Sequence, residues 1–193
     1  MRKIAVVTGT RAEYGYLKPL MSEIQKDKDL ELIPVVTGMH LLPQYGNTYK
    51  IVEKDFVNIA KIPMNLKGDL NKDMAIFLSE GIKNLTNFFE KTRPDIVTAL
   101  GDRSEAFAAA ISSAYLNIAF AHLNGGDVSG TTIDESIRHA ITKLSHIHLV
   151  HTKSNAIRVE KMGENRTRIY VTGALTVDSI KQSNLMDRKQ IYD

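Results

Sequence analysis

Two short stretches hold residues able to move protons and bind anions. Leu100-Gly101-Asp102-Arg103 sets an acid and a guanidinium at the end of an apolar run. Asp134-Glu135-Ser136-Ile137-Arg138-His139 repeats the combination within one more strand–helix unit. Carboxylates and imidazoles are common general acids and bases, and arginine forks grip phosphate or carboxylate through paired hydrogen bonds. In an open α/β sheet both stretches would fall at the carboxyl ends of strands, the edge where such sheets bind ligands. The chemistry expected is proton transfer on an anionic substrate.

Other turns carry further candidates. Gly9-Thr10-Arg11-Ala12-Glu13 lies between the first apolar run and a helical pattern. A glycine there permits close backbone approach, a helix N-terminus attracts phosphate, and Arg11 could add a charged contact. Neither G-x-G-x-x-G nor G-x-x-x-x-G-K-[ST] is present, which disfavours nicotinamide and P-loop readings. A tight turn with a surface arginine is the plain alternative. His40 follows the second apolar run and is either a ligand contact or a loop histidine bonded to backbone. Asp102 is either an N-cap or a carboxylate held ionised beside a ligand. His122, Asn124 and Asp127 flank Gly125-Gly126, a pair that favours unusual backbone or close ligand approach. Asp134 and Arg138 are four residues apart on one helical face, as are Glu135 and His139, so surface ion pairs are the plain reading there. His146, His148 and His151 lack a recognised zinc spacing and read as polar strand-edge histidines. No metal site is expected.

These residues need a scaffold, and the apolar pattern supplies one. Strands are expected over Lys3–Thr8, Leu32–Val36, Asn58–Ile62, Ile96–Leu100, Ile118–Ala121, Ile147–Val150 and Arg168–Val171. Between them, helical spacing links Leu17, Leu20, Met21 and Ile24, then runs from about Asp73 to Lys91, where Pro94 stops it. Helices are also expected over Ser104–Leu116, from Thr132, over Lys153–Met162 and over Val177–Gln182. Leu41 to Asn58 reads as a loop with a short helix around Ile51 and Val52. Strands alternating with helices imply a doubly wound, mostly parallel sheet covered on both faces. Residues 1–182 are expected to form this domain, and 183–193, mostly polar, a linker or crossover.

The 193 residues suffice for one domain that needs no metal or disulfide staple. The absence of cysteine excludes a thiolate nucleophile and a Cys-based zinc site, and fits a reducing, cytoplasmic setting. Net charge is only +3 and Lys and Arg are scattered, so nucleic acid is not the expected partner. No apolar run approaches the ~20 residues of a membrane span, and none resembles a signal-peptide core.

Taken together, the ordered motifs resemble a known family. They are Thr8 through Tyr14, His40 with Tyr45-Gly46-Asn47-Thr48-Tyr49, Gly101-Asp102-Arg103, Gly125-Gly126-Asp127, and Ile133 through Lys143. Over residues 3 to 182 the chain is similar to the N-terminal half of the hydrolysing UDP-N-acetylglucosamine 2-epimerases of sialic-acid and related pathways. The resemblance implies a Rossmann-like domain that faces a second, UDP-binding domain absent from this chain, as in many glycosyltransferases. It implies a homodimer in the whole protein and requires no cofactor. The implied reaction removes the C2 proton of a UDP-linked amino sugar and expels UDP. Water then adds to the glycal-like intermediate, giving the C2-inverted free sugar, such as N-acetylmannosamine. Asp102, Asp134 and Asp127 become the implied acid/base candidates. Arg11 and Arg103 would contact nucleotide or sugar, Arg138 would pair with Asp134, and His40, His122 and His139 would line the cleft. Many relatives have glutamate where this chain has Asn124, and an amide cannot take a proton as a carboxylate does. Either Asp127 or a histidine takes that role, or the sugar differs, a diacetamido-trideoxy one being a reasonable substitute. A non-hydrolysing epimerase and a non-catalytic binding module remain the alternatives, and the half-cleft alone is expected to be inactive.

Overall fold

The computed structural model describes residues 1–66, 68, 70–130 and 132–182. Seven strands form one parallel sheet: β1 (Arg2–Thr8), β2 (Leu30–Thr37), β3 (Ala60–Ile62), β4 (Ile96–Leu100), β5 (Ala119–Leu123), β6 (Ile147–Val150) and β7 (Ile169–Val171). Their spatial order is β3-β2-β1-β4-β5-β6-β7, and every pairing is parallel. The chain winds outward from β1 in one direction, then restarts at β4 and winds in the other. The switch point therefore lies between β1 and β4, and a crevice opens beyond their carboxyl ends.

Among the described residues six helices make the crossovers, α1 (Arg11–Lys26), α2 (Tyr49–Asp55), α3 (Asn71–Thr92), α4 (Ser104–Tyr115), α5 (Ile133–Leu144) and α6 (Lys153–Lys161), and α7 (Leu175–Gln182) follows β7. Alternation along β1 divides the core between the two faces of the sheet. Ala5 and Val7 join Val97, Phe89, Leu85, Ala109, Phe120 and Ile141 on the side covered by α3, α4 and α5. Ile4 and Val6 join Leu17, Met21, Ile24 and Phe56 on the side covered by α1. Small residues let α4 approach closely: Ala106, Ala108, Ala109 and Ala110 are buried, and a Cβ added at Gly81 of α3 would come within 3.0 Å of the Ala108 Cβ.

The expected elements are all present, with shifted ends. β3 begins two residues late, at Ala60, and β5 runs on through His122 to Leu123. α3 stops at Thr92, where Arg93 turns left-handed (φ 46°) and donates its N–H to the Phe89 carbonyl. His146 precedes β6 and is exposed while His148 is buried, so the two do not act as a matched pair of strand-edge histidines. The expected crossover over 183–193 lies outside the described residues. Among the described residues no helix is long and apolar enough to cross a membrane.

Candidate active site

Turns following β1, β2, β4 and β5 and the first turns of α1, α4 and α5 converge on the carboxyl edge of the sheet. Each of these helices points its N-terminal N–H groups, and the positive end of its dipole, toward that edge. α1 begins with a capping box in which Thr10 Oγ1 accepts from the Glu13 N–H while the Glu13 carboxylate accepts from the Gly9 and Thr10 N–H groups. Arg11, the first residue of α1, is exposed.

After β4 the chain turns at Gly101 (φ 76°), and Arg103, not Asp102, occupies the N-cap position of α4. The Asp102 carboxylate is thus free for another partner, and it accepts a hydrogen bond from Arg138 Nη2. Arg138 is almost completely buried and also donates through Nη1 to the Asp127 carbonyl (3.1 Å) and Ser129 Oγ (3.2 Å). Burial pulls the Arg138 pKa down. A guanidinium starts so far above neutrality that it stays a cation, and its charge favours ionised Asp102.

The Arg138–Asp134 pair expected from the resemblance does not form, because the Arg138 side chain spans the gap to the β4 turn. Asp134 lies one helical turn earlier, exposed in the first turn of α5. It lines a cavity of about 630 Å³ together with Ser104, Phe107, Ile133 and Ile137. Two carboxylates therefore stand at this edge with different surroundings, Asp102 partly buried against a cation and Asp134 open to solvent. The expected Glu135–His139 pair is present, at 3.8 Å.

Histidines expected to line the cleft brace it from beneath. His122 is fully buried on β5, with Nε2 2.7 Å from the Gly101 carbonyl and Nδ1 3.1 Å from Thr142 Oγ1. A carbonyl can only accept, so Nε2 carries the proton and the neutral ring ties the β4 turn to α5. The single hydroxyl proton of Thr142 is shared between His122 Nδ1 and the Arg138 carbonyl, 2.9 Å from Oγ1, which completes a support under the Asp102–Arg138 pair. Burial pushes His122 down to about 4. His40 is equally buried, between Thr8 Oγ1 (3.1 Å) and Thr48 Oγ1 (2.8 Å), and burial lowers it to about 4 as well. Both rings are neutral at pH 7. His139 is partly exposed. Asn124 adopts a left-handed conformation (φ 67°), which asparagine tolerates better than most residues. Both Asp127 carboxylate oxygens are engaged, one accepting from Asn155 Nδ2 and the other 3.3 Å from His151 Nδ1.

One acid escaped the sequence reading. Glu105, in the first turn of α4, is 1% exposed and packs against Gly9 and Gly38. A Cβ added at Gly9 would lie 2.6 Å from the Glu105 carboxyl carbon, so this glycine admits a side chain of the protein itself. In the sequence an acid at that position passes for a simple complement to the helix dipole. The available signal was the run Ala106-Phe107-Ala108-Ala109-Ala110-Ile111 behind it, which marks a helix buried nearly all round. Burial and the charge of Glu105 push neighbouring Glu13 up to about 7.

The arrangement can abstract or deliver a proton at two carboxylates and hold an anion against guanidinium groups and helix N-termini. Comparisons with known proteins identify the family. A family model described as UDP-N-acetylglucosamine 2-epimerase matches residues 22–193. The chain is 43% identical to a Legionella pneumophila UDP-N,N'-diacetylbacillosamine 2-epimerase (hydrolyzing) over 94% of its own length and 48% of that protein's. It is 39% identical to the Campylobacter jejuni GDP/UDP-N,N'-diacetylbacillosamine 2-epimerase (hydrolyzing), over 98% of the chain and 50% of that protein. A Neisseria meningitidis UDP-N-acetylglucosamine 2-epimerase is 38% identical over the whole chain and 50% of its own length. The chain thus spans about half the length of these curated relatives. Among solved structures, Staphylococcus aureus MnaA in complex with UDP superposes with a TM-score of 0.84 at 23% identity, over all of this chain and 51% of that one. This last likeness concerns the fold.

Proposed function

The chain belongs to the UDP-N-acetylglucosamine 2-epimerase family, and on that footing we propose that it is the N-terminal half of a hydrolysing 2-epimerase of a UDP-linked amino sugar. The observation that carries this reading is the partly buried Asp102–Arg138 pair with exposed Asp134 at the same sheet edge. In the proposed reaction a carboxylate takes the C2 proton, and the C–H electron pair becomes the C1=C2 double bond. The C1–O bond breaks with its electrons going to UDP, whose departing charge is stabilised by the guanidinium groups and helix N-termini. Water then gives its oxygen to C1 and a proton reaches C2 on the opposite face. Asp102 and Asp134 are the acid and base, with Asp127 a third candidate whose carboxylate is already engaged by Asn155 and His151. Arg11, Arg103 and Arg138 serve the anion, Asn124 and His139 contact the sugar side, and His40 and His122 hold the turns.

The test is to incubate the whole protein with UDP-amino sugars and identify the products. Free UDP with a free C2-inverted sugar supports the reading. An inverted sugar still joined to UDP makes the enzyme non-hydrolysing, and no turnover of any such substrate leaves a binding module.

Asn124 supports a more specific reading of the sugar. An amide in place of a carboxylate changes which sugar substituents can be contacted, and the cavity beside Asp134 is lined by Met74, Leu78, Phe107, Ile133 and Ile137. Such a lining suits methyl groups, so a diacetamido-trideoxy sugar is the proposed substrate. A higher kcat/KM for the UDP form of that sugar than for UDP-N-acetylglucosamine is the expected result.

A further inference from the structure

The switch-point crevice holds a charge that the proposed reaction does not use. Glu105 is buried, yet neither of its carboxylate oxygens has a hydrogen-bond partner. Glu13, the neighbouring acid, is already occupied by the N–H groups of Gly9 and Thr10. The cation paired with Glu105 is Arg103, whose Nε lies 3.4 Å from Glu105 Oε2 and likewise has no hydrogen-bond partner. A carboxylate enclosed this way is unfavourable for folding unless its charge does something else.

The other edge of the Arg103 guanidinium is poorly satisfied too. Its Nη2 donates only to the thioether of Met39, at 3.5 Å, and a thioether is a weak acceptor. The side chain is 37% exposed. Arg103 starts at the β4 turn and reaches Met39 in the turn after β2, so it crosses above the end of β1, where the sheet order reverses. Glu105 fits beneath it because Gly9 and Gly38 have no side chains; Gly38 also adopts φ 56°.

We propose that Glu105 is a positioning residue whose buried carboxylate holds Arg103 across the crevice, so that the outer guanidinium N–H groups face the diphosphate of a nucleotide sugar. This rests on the nucleotide-sugar reading above. A phosphate offers the paired acceptors that a guanidinium fork matches and that Met39 does not supply. Glu105 acts through Arg103 and does not itself touch the substrate.

UDP binding to the intact protein, measured by calorimetry, tests the proposal alongside thermal melting of the same samples. Glu105→Gln keeps the shape and removes the charge. It should weaken UDP binding about tenfold, the scale of one charge-assisted hydrogen bond, without lowering the melting temperature. In an Arg103→Ala background the same change should alter UDP affinity less than about twofold, since the intermediary is gone. A merely structural Glu105 gives the reverse pattern, a lower melting temperature with unchanged affinity, and that result overturns the proposal. Equal losses of affinity in both backgrounds overturn it as well. Should Glu105→Gln not fold, Arg103→Ala is decisive. It leaves Glu105 buried without its cation, so both affinity and melting temperature should fall, and unchanged UDP affinity overturns the proposal. Failure of wild-type protein to bind UDP removes the nucleotide-sugar reading itself, whereas wild-type binding equalled by Glu105→Gln removes only the positioning role.

Discussion

Asp102 and Arg138 come from different crossover units, and their pairing turns two ordinary surface residue types into a partly buried ionic site. Asn at position 102 or 134 retains shape but cannot exchange a proton in the same way. Asp102→Asn and Asp134→Asn should therefore each lower kcat by about 10²–10⁴-fold while near-native circular dichroism is kept. Near-normal turnover in both variants would contradict their acid/base roles. The neutral histidines predict a pH dependence. His40 and His122 titrate near 4 when folded but near 6.5 when unfolded, so between those values the unfolded chain binds more protons. Stability is thus lost as pH falls from 6.5 toward 4, on the order of 3 kcal/mol per ring. Glu13 opposes this trend. Its folded pKa is raised, so its contribution is present at acid pH and lost as pH rises from about 4.5 to 7. Glu13→Gln should accordingly steepen the acid loss, as urea unfolding at a series of pH values would register; a flatter profile in the variant contradicts the shift. The sequence named Asp102, Arg138 and His122 but not their partners. An i,i+4 spacing suggested Arg138–Asp134, while the actual contact to Asp102 depends on how far α5 lies from the β4 turn, a tertiary quantity with no local signature.

Elements were readable wherever burial imposes a period. β1 and β4 are covered on both faces and appear as short, largely apolar runs, Ile4–Val7 and Ile96–Leu100 interrupted only by Thr98, and α3 shows its inward stripe through Phe77, Leu85 and Phe89. Ends were less readable. β5 continues to Leu123 because His122 is satisfied inside by Gly101 and Thr142, so a polar residue did not mark the end of that strand. Glu105 was obscured for a related reason, since its burial depends on two glycines in other turns. The close approach of α3 and α4 makes a separate prediction. A side chain at Gly81 meets Met64 and the Ala108 Cβ, so Gly81→Val should cost about 1–3 kcal/mol of overpacking strain. Urea denaturation tests this, and an unchanged midpoint would mean the helices can move apart freely.

For the molecule as a whole, the doubly wound order brings every candidate to one edge, and both sheet faces are filled by core. The motifs meet at that edge only through folding: the turns after β1, β4 and β5 are separated in the chain by at least one whole helix and strand. Matched relatives are about twice as long as this chain, so the proposed cleft draws its other wall from beyond the half described above. The most direct measurement is turnover of the UDP-amino sugar by the whole protein in deuterium oxide, followed by mass and proton spectra of the sugar. The expected product is a free, C2-inverted sugar with one deuterium at C2, accompanied by an equal amount of UDP. A C2-inverted product that retains its original C2 hydrogen would contradict proton removal by a carboxylate at this edge.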